Sequence, residues 1–110
     1  MQIKEPLSSV IFIHNYIQLD FHEEQLTLNN DVQYSFGAVE KVKTDAGFCD
    51  ALVALIGHVV VNVSFGPGEL IKLTFHSGEK LRLLPLSDGQ AWPECWEFRG
   101  AQQQIVVGQN

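Results

Sequence analysis

Residues 70–84 read LIKLTFHSGEKLRLL, and they carry the clearest structural signal in the chain. Apolar and polar residues alternate from Ile71 to His76 and again from Lys80 to Leu83. Alternation with a period of two is typical of a strand that buries one face. The stretch therefore predicts a β-hairpin whose two strands are joined at the polar residues around Gly78.

The register of this hairpin follows from the rule that opposite residues share a face of the sheet. Pairing Leu73 with Leu81 keeps apolar partners together and leaves a three-residue loop at 76–78. A two-residue loop would bring Lys80 to the buried face, because a slip of one residue exchanges the two faces. We therefore predict the longer loop, with Gly78 in the left-handed conformation of a bulged turn.

The outer face of the hairpin carries three cations, Lys72, Lys80 and Arg82. An antiparallel sheet commonly keeps one face in water, and charged residues then line that face. We interpret these residues as a solvated basic face, with a partner-binding strip as the alternative.

Residues 16–28, YIQLDFHEEQLTL, repeat the hairpin pattern in weaker form. The Phe-His pair and the Leu-x-Leu motif recur as Phe21-His22 and Leu26-x-Leu28, with one residue fewer in the turn. Same-face pairing now needs an even-length loop, so we predict that Phe21 pairs with Leu26 and Leu19 with Leu28. The loop is then either four residues long or a tight turn at Glu23-Glu24. Each hairpin follows a β-branched run, which hints at a duplicated three-strand meander.

Length and charge restrict the class of protein. The chain has 110 residues, which predicts a single domain over residues 1–110. The formal net charge is −6, so we expect neither nucleic acid nor an anionic membrane as a partner. An acidic surface is suited instead to a basic protein partner.

The opening MQIKEPLSS is polar, so we expect no secretory signal, and no run approaches the roughly 18 apolar residues of a membrane span. The two cysteines, Cys49 and Cys95, are too few for a disulfide framework. We expect both to be free thiols in a reducing cytoplasm.

The hydrophobic period changes after residue 45. Phe48, Leu52 and Leu55 are spaced for one face of a helix, which Asp45 can cap and Gly57 can end. We predict one α-helix near residues 46–56, which must pack on the sheet to be stable.

The order of strands, one helix and further strands, joined mostly by short turns, predicts antiparallel pairing. We expect an α+β fold, mainly antiparallel β, in which β-hairpins form a bent sheet or two small packed sheets. A small barrel-like roll is the alternative. The run Val10–Ile13 is apolar on both faces, which predicts a central strand.

Motifs of catalysis and cofactor binding are missing from the sequence. The four histidines, at 14, 22, 58 and 76, include no pair at helical i, i+4 spacing, and there is no C-x-x-C. Both cysteines are interpreted as small buried or half-buried residues rather than nucleophiles. We therefore predict no catalytic residue, no metal and no cofactor, and a protein that is not an enzyme.

Both tryptophans lie in the run Ala91–Phe98, AWPECWEF. Trp96 and Phe98 share a face of a predicted strand, which indicates the core. Trp92 precedes a proline at the end of a polar loop, where an exposed indole beside Glu94 would make a good interface anchor. We predict Trp92 and Glu94 as partner-binding residues.

Several of these motifs together resemble a known type of domain. They are Leu55-Ile56-Gly57 before a valine strand, Leu73-x-Phe75-x-x-Gly78 in the hairpin, and ECWEFRG at 94–100. Over about residues 52–100 the chain resembles small bacterial β-rich domains of unknown function, some of whose relatives are immunity proteins to secreted toxins. The resemblance implies a bacterial cytoplasmic binding protein rather than an enzyme, and it assigns no catalytic residue.

The resulting hypothesis is a non-enzymatic protein-interaction module, for example an immunity-type protein that blocks a basic partner by occlusion. The alternative is a small-molecule or metal-ion binder with a pocket between sheet and helix and His22 or His76 at its mouth. The uncharged terminal strand Gln104–Val107 also suggests a homo-oligomer formed through an open sheet edge.

Overall fold

Ten strands form two five-stranded antiparallel sheets, and one short helix accompanies them. The computed structural model describes residues 2–66, 69–85, 95–102 and 104–108. In chain order the elements are β1 (Ser9–Ile13), β2 (Tyr16–Phe21), β3 (Glu24–Leu28), β4 (Val32–Phe36), β5 (Val39–Lys41), α1 (Phe48–Val53), β6 (Val60–Gly66), β7 (Glu69–Phe75), β8 (Lys80–Leu83), β9 (Trp96–Arg99) and β10 (Ile105–Gly108).

The two sheets are assembled in the same way. The first sheet has the order β1-β2-β3-β9-β10 and the second has the order β5-β4-β8-β7-β6. Each contains a three-strand meander and a hairpin that comes from the other half of the chain. Leu28 of the first meander lies opposite Trp96, and Leu83 of the second meander lies opposite Val32. The two meanders that the sequence hinted at therefore occupy equivalent places in the two sheets.

The hairpin over residues 70–84 has the predicted register. Leu73 pairs with Leu81, and the Phe75 amide donates to the Glu79 carbonyl across the loop at 76–78. Gly78 has φ +99°, a conformation that glycine adopts without the penalty that a Cβ imposes. The outer-face cations also lie as predicted, with Lys80 and Arg82 exposed and Arg82 Nε donating to Gln33 Oε1 at 2.7 Å.

The predicted register of the first hairpin is wrong by two residues. Leu19 pairs with Leu26 and Phe21 with Glu24, so the turn is His22-Glu23. The leucines still share a face, as the even-length loop required. The turn lies one residue earlier than the Glu23-Glu24 turn that we considered, and His22 in it adopts φ +43°, which is uncommon outside glycine but several-fold enriched in asparagine, aspartate and histidine.

One hydrophobic cluster joins the inner faces of the two sheets, so the two-packed-sheet alternative describes the fold best. Trp96 and Phe98 belong to it, which confirms their predicted place in the core. The largest fully buried side chains are Phe21, Phe75, Phe98, Leu7, Leu19, Leu26, Leu52, Leu55, Ile71, Leu73, Leu81 and Val32. Burial of a Val, Leu, Ile or Phe side chain contributes roughly 1.5–3 kcal/mol, so this cluster is the main source of stability.

The helix is shorter than predicted, and the α+β description overstates it. Six residues, Phe48–Val53, are α-helical. The next turn is closed by hydrogen bonds that span three residues instead of four, such as the bond from the Leu55 amide to the Leu52 carbonyl. Gly47 occupies the N-cap, because the predicted cap, Asp45, accepts from the Val42 amide in the preceding turn instead. The fold is mainly antiparallel β.

Strand β1 lies at an edge of the first sheet and not in its centre. Ile11, Phe12 and Ile13 are each more than a third exposed. Apolar residues on both faces therefore did not indicate burial on both faces here. Among the described residues, no helix is long and apolar enough to cross a membrane.

Candidate functional site

The β2–β3 turn separates two clefts at one end of the first sheet. Phe21 is fully buried beneath the turn, while His22 and Glu23 are exposed at its tip and Glu24 is half-buried. The N-terminal segment approaches this turn, since the Lys4 amide lies 3.5 Å from Glu24 Oε1. The β9–β10 connection lies on the other side of both clefts.

The inner cleft has a volume of about 540 Å³. Its residues are Gln2, Lys4, Glu5, His22, Glu23, Glu24, Phe98, Ala101, Gln102, Gln104 and Val106. Phe98 and Val106 belong to the core-facing side of the first sheet and form an apolar floor. Glu5 and Glu23 are exposed, Glu24 is half-buried, and all three line the cleft together with Lys4, so it combines an apolar base with a mostly acidic rim.

The outer cleft has a volume of about 730 Å³ and shares His22, Glu23 and Glu24 with the inner cleft. Its other residues are Ser8, Ser9, Asp20, Gln25, Arg99, Gly100, Ala101 and Ile105. Five of these form one row across the outer face of the sheet, in which each residue pairs with the next: Ser9, Asp20, Gln25, Arg99 and Ile105. This cleft is the more polar of the two.

Asp20 is the centre of a hydrogen-bond network in the outer cleft. Its carboxylate accepts from Ser9 Oγ at 3.1 Å, from Gln18 Nε2 at 3.1 Å and from Gln25 Nε2 at 3.2 Å. These neighbours hold the carboxylate in place on the sheet. Across both clefts, carboxylates (Glu5, Asp20, Glu23, Glu24) outnumber cations (Lys4, Arg99), so a cationic ligand is favoured.

The predicted partner-binding residues, Trp92 and Glu94, lie outside the described residues. The nearest described neighbours, Cys95 and Trp96, are both buried. The sequence did not reveal the clefts, because their walls come from segments far apart in the chain, at residues 2–5, 8–9, 20–25, 98–102 and 104–106. The only local signal was the charge of Glu23-Glu24, which we interpreted as a turn.

The two hairpin histidines have different surroundings, although they hold equivalent positions. His22 borders both clefts, whereas His76 lies against His58 with 5.6 Å between ring centroids. Neither borders the cavity of about 110 Å³ between the β1–β2 turn and the helix, where the histidine is His14. The predicted pocket between sheet and helix, with His22 or His76 at its mouth, is therefore wrong in its position.

A second polar cluster surrounds His58, and no spacing of residues along the chain predicted it. Ser77 Oγ lies 2.9 Å from His58 Nδ1, and Glu79 Oε2 lies 3.6 Å from the same nitrogen. In a Ser-His-Asp triad the two partners contact opposite ring nitrogens, so that a proton can pass between them. This arrangement lacks that geometry. Burial, with the Glu79 charge second, raises the pKa of nearby Tyr34.

The two cysteines differ in exposure. Cys95 is buried, as predicted, and its Sγ lies 3.2 Å from the Gly108 carbonyl oxygen. Burial raises the pKa of the Cys95 thiol, which the nearby backbone hydrogen bonds only partly offset. Cys49 is exposed on the helix, so its predicted burial is wrong. Both are free thiols.

Within the described part of the chain, no three His, Cys, Asp or Glu side chains are grouped so that they could hold a metal ion. Comparison with known proteins found no family model, no curated protein and no solved structure that matches the chain. Candidate functions therefore depend on the geometry and charge of the clefts.

Proposed function

We propose that the protein is a non-enzymatic interaction module that binds a basic protein partner at the two clefts beside the β2–β3 turn. The observation that carries this proposal is the inner cleft, whose lining combines Glu5, Glu23 and Glu24 with Phe98 and Val106. A lysine or arginine side chain has an apolar stem and a cationic head, so it matches a cleft with an apolar floor and an acidic rim. The formal net charge of −6 supports the same kind of partner.

Binding of this kind acts by occlusion. Carboxylates at the rim steer a basic surface toward the clefts and raise the association rate, and contact with the floor then slows dissociation. An immunity-type protein that covers a toxin works in this way, and we include that role in the proposal. The same proposal assigns the protein to the reducing cytoplasm, which the two free thiols support.

The test is capture of partners from the lysate of the native host by the tagged protein, with mass spectrometry as the readout. Glu23→Lys reverses an exposed charge at the wall between the clefts, and Glu40→Lys makes the same change on β5 of the second sheet. We expect a basic partner that is lost with Glu23→Lys and retained with Glu40→Lys. Equal capture by the two variants would contradict this placement.

A separate variant, Trp92→Ala, tests the predicted anchor in the same experiment. Loss of the basic partner with Trp92→Ala as well as Glu23→Lys would extend the interface to residues 92–94. Retention with Trp92→Ala would restrict the interface to the clefts. Raising the ionic strength should slow association in either case, because screening weakens the attraction between exposed charges.

A small-molecule binder is the second candidate, and the cleft volumes favour it. Ligand pockets are typically about 300–1,000 Å³, and both clefts lie in that range with His22 at their shared wall. Native mass spectrometry of the protein purified from its host, with elemental analysis for metals, would detect a bound ligand. His22→Ala should weaken the binding of such a ligand, whereas Glu40→Lys on the second sheet should leave it bound.

A further inference from the structure

Strand β10 is an edge of the first sheet, and no other strand of the described residues pairs with its outer side. Natural proteins protect edge strands by making them very short, by placing charges on them or by adding bulges. The edges of the second sheet have these features. β5 has three residues, two of them charged, and β6 has two irregularities in its pairing with β7. The sequence of β10, Ile105–Gly108, is IVVG, so this strand is also short, but it carries no charge and its pairing with β9 shows no irregularity.

The backbone of β10 offers hydrogen-bonding groups toward its free side. The Gly100 amide donates to the Gln104 carbonyl, and these two residues belong to the same ladder in which Ile105 lies opposite Arg99. Hydrogen-bonded and non-hydrogen-bonded pairs alternate along an antiparallel ladder. The N–H and C=O groups of Ile105 and Val107 therefore point away from β9, toward the open edge.

Ile105 and Val107 also expose their side chains. Ile105 is 54% exposed and Val107 is 40% exposed, and both lie on the outer face of the sheet. The edge thus offers two donors, two acceptors and two β-branched side chains at alternate positions. β-branched side chains pack well against cross-strand neighbours, so a further strand would fit here.

We propose that β10 pairs in antiparallel orientation with β10 of a second copy of this chain, forming a two-fold symmetric dimer with one continuous ten-stranded sheet. The two-fold axis passes beside Val106. Ile105 then lies opposite Val107 of the partner subunit, and the outward groups form four hydrogen bonds across the interface. On the outer face, the isoleucine and valine of each copy pack against those of the other.

The second copy is the favoured occupant because the edge is complementary to itself. Antiparallel pairing about Val106 matches every outward donor with an acceptor, and it brings no charge into the contact. Pairing of β10 with β1 of another copy would be head-to-tail and would produce open chains. The backbone groups of Leu7, two residues before β1, are also occupied, since its amide donates to the His58 carbonyl and its carbonyl accepts from the Gly57 amide. Four-residue strands make a small interface, so the dimer is reversible and concentration-dependent.

Sedimentation analysis over a range of protein concentrations tests the dimer. Val107→Lys places a charge on the edge at a residue that borders neither cleft, and Val61→Lys makes the same change on the other sheet, where Val61 is 61% exposed. We expect the wild-type protein and Val61→Lys to show the same monomer–dimer equilibrium, and Val107→Lys to weaken it at least tenfold. A wild-type protein that stays monomeric up to millimolar concentration would overturn the proposal, as would open polymers.

Disulfide trapping tests the register without depending on affinity. In a Cys49→Ser background, Val106→Cys places the thiols of the two copies opposite each other across the two-fold axis. Ile105→Cys instead places each new thiol opposite Val107 of the partner subunit. We expect covalent dimers to form quickly with Val106→Cys and much more slowly with Ile105→Cys. Circular dichroism confirms that each variant is folded. Faster trapping at residue 105 than at residue 106 would exclude this register.

Discussion

Gly108 lies opposite Trp96 in the β9–β10 ladder, and the indole of Trp96 occupies the space that a Cβ on Gly108 would need. The same indole packs edge-to-face against Phe65 of the second sheet, with 5.1 Å between ring centroids. Trp96 therefore connects the edge of one sheet to the other sheet. A glycine at residue 108 is what allows the ring to adopt this position.

We predict that Gly108→Ala lowers the free energy of unfolding by about 1–3 kcal/mol, the usual effect of overpacking. Gly66→Ala is the matched control, because Gly66 also lies in an edge strand and a Cβ there would meet no atom within 4 Å. Urea unfolding followed by tryptophan fluorescence measures both. Equal stability of the two variants would show that the position of the Trp96 indole does not require a glycine at residue 108.

The main hairpin makes a separate prediction at Gly78, where φ is +99° and a Cβ would lie 3.4 Å from the Phe36 ring. Gly78→Ala should lower the free energy of unfolding by about 1–2 kcal/mol, because an L side chain is strained in the left-handed region. Thermal unfolding measures the change, again beside Gly66→Ala. A neutral result would mean that the loop readily adopts another turn type.

The cysteines should differ in reactivity. The Cys95 thiol is buried with a raised pKa, whereas Cys49 is exposed, so a thiol reagent at pH 8 should modify Cys49 quickly and Cys95 only on unfolding. Titration with Ellman's reagent, with and without urea, counts the accessible thiols. Cys49→Ser should remove the fast phase. A fast phase that persists in Cys49→Ser would mean that Cys95 is reached through local opening.

Stability should fall at alkaline pH. The pKa values of Cys95 and Tyr34 are both raised in the folded state, so the native protein keeps protons that the unfolded chain releases. The contribution of Cys95 is fully present below its ordinary value of 9.0 and is lost as the pH rises through the higher folded value. Urea midpoints between pH 7 and 11 measure the loss. Cys95→Ala should lower the stability at neutral pH but make the decline in stability above pH 9 less steep. If the steepness of that decline is the same in Cys95→Ala as in the wild type, Cys95 is not its cause.

Parts of the fold were predictable because each strand carries its own signal. Alternation of apolar and polar residues is imposed by the pleat of a single strand, and the left-handed residue of a turn favours glycine locally. For that reason the pairing of Leu73 with Leu81, the loop at 76–78 and the burial of Trp96 and Phe98 were all predicted from neighbouring residues. The uncharged last strand was also recognised, and it lies at an edge.

Other features depended on contacts between distant segments. The first hairpin turns at His22-Glu23, where His22 adopts a positive φ, and not at the residues that we predicted. Its place at the wall of two clefts depends on residues 2–5, 98–102 and 104–106. The early end of the helix and the edge position of β1 were also not predictable from local sequence. A hydrophobic pattern indicates only that a face is apolar, and it does not indicate which other segment covers that face. Sequence by itself determined the hairpins, through local periodicity and turn chemistry. Tertiary structure alone decided which hairpin joins which sheet and where the acidic clefts form, because both require surfaces far apart in the chain to meet.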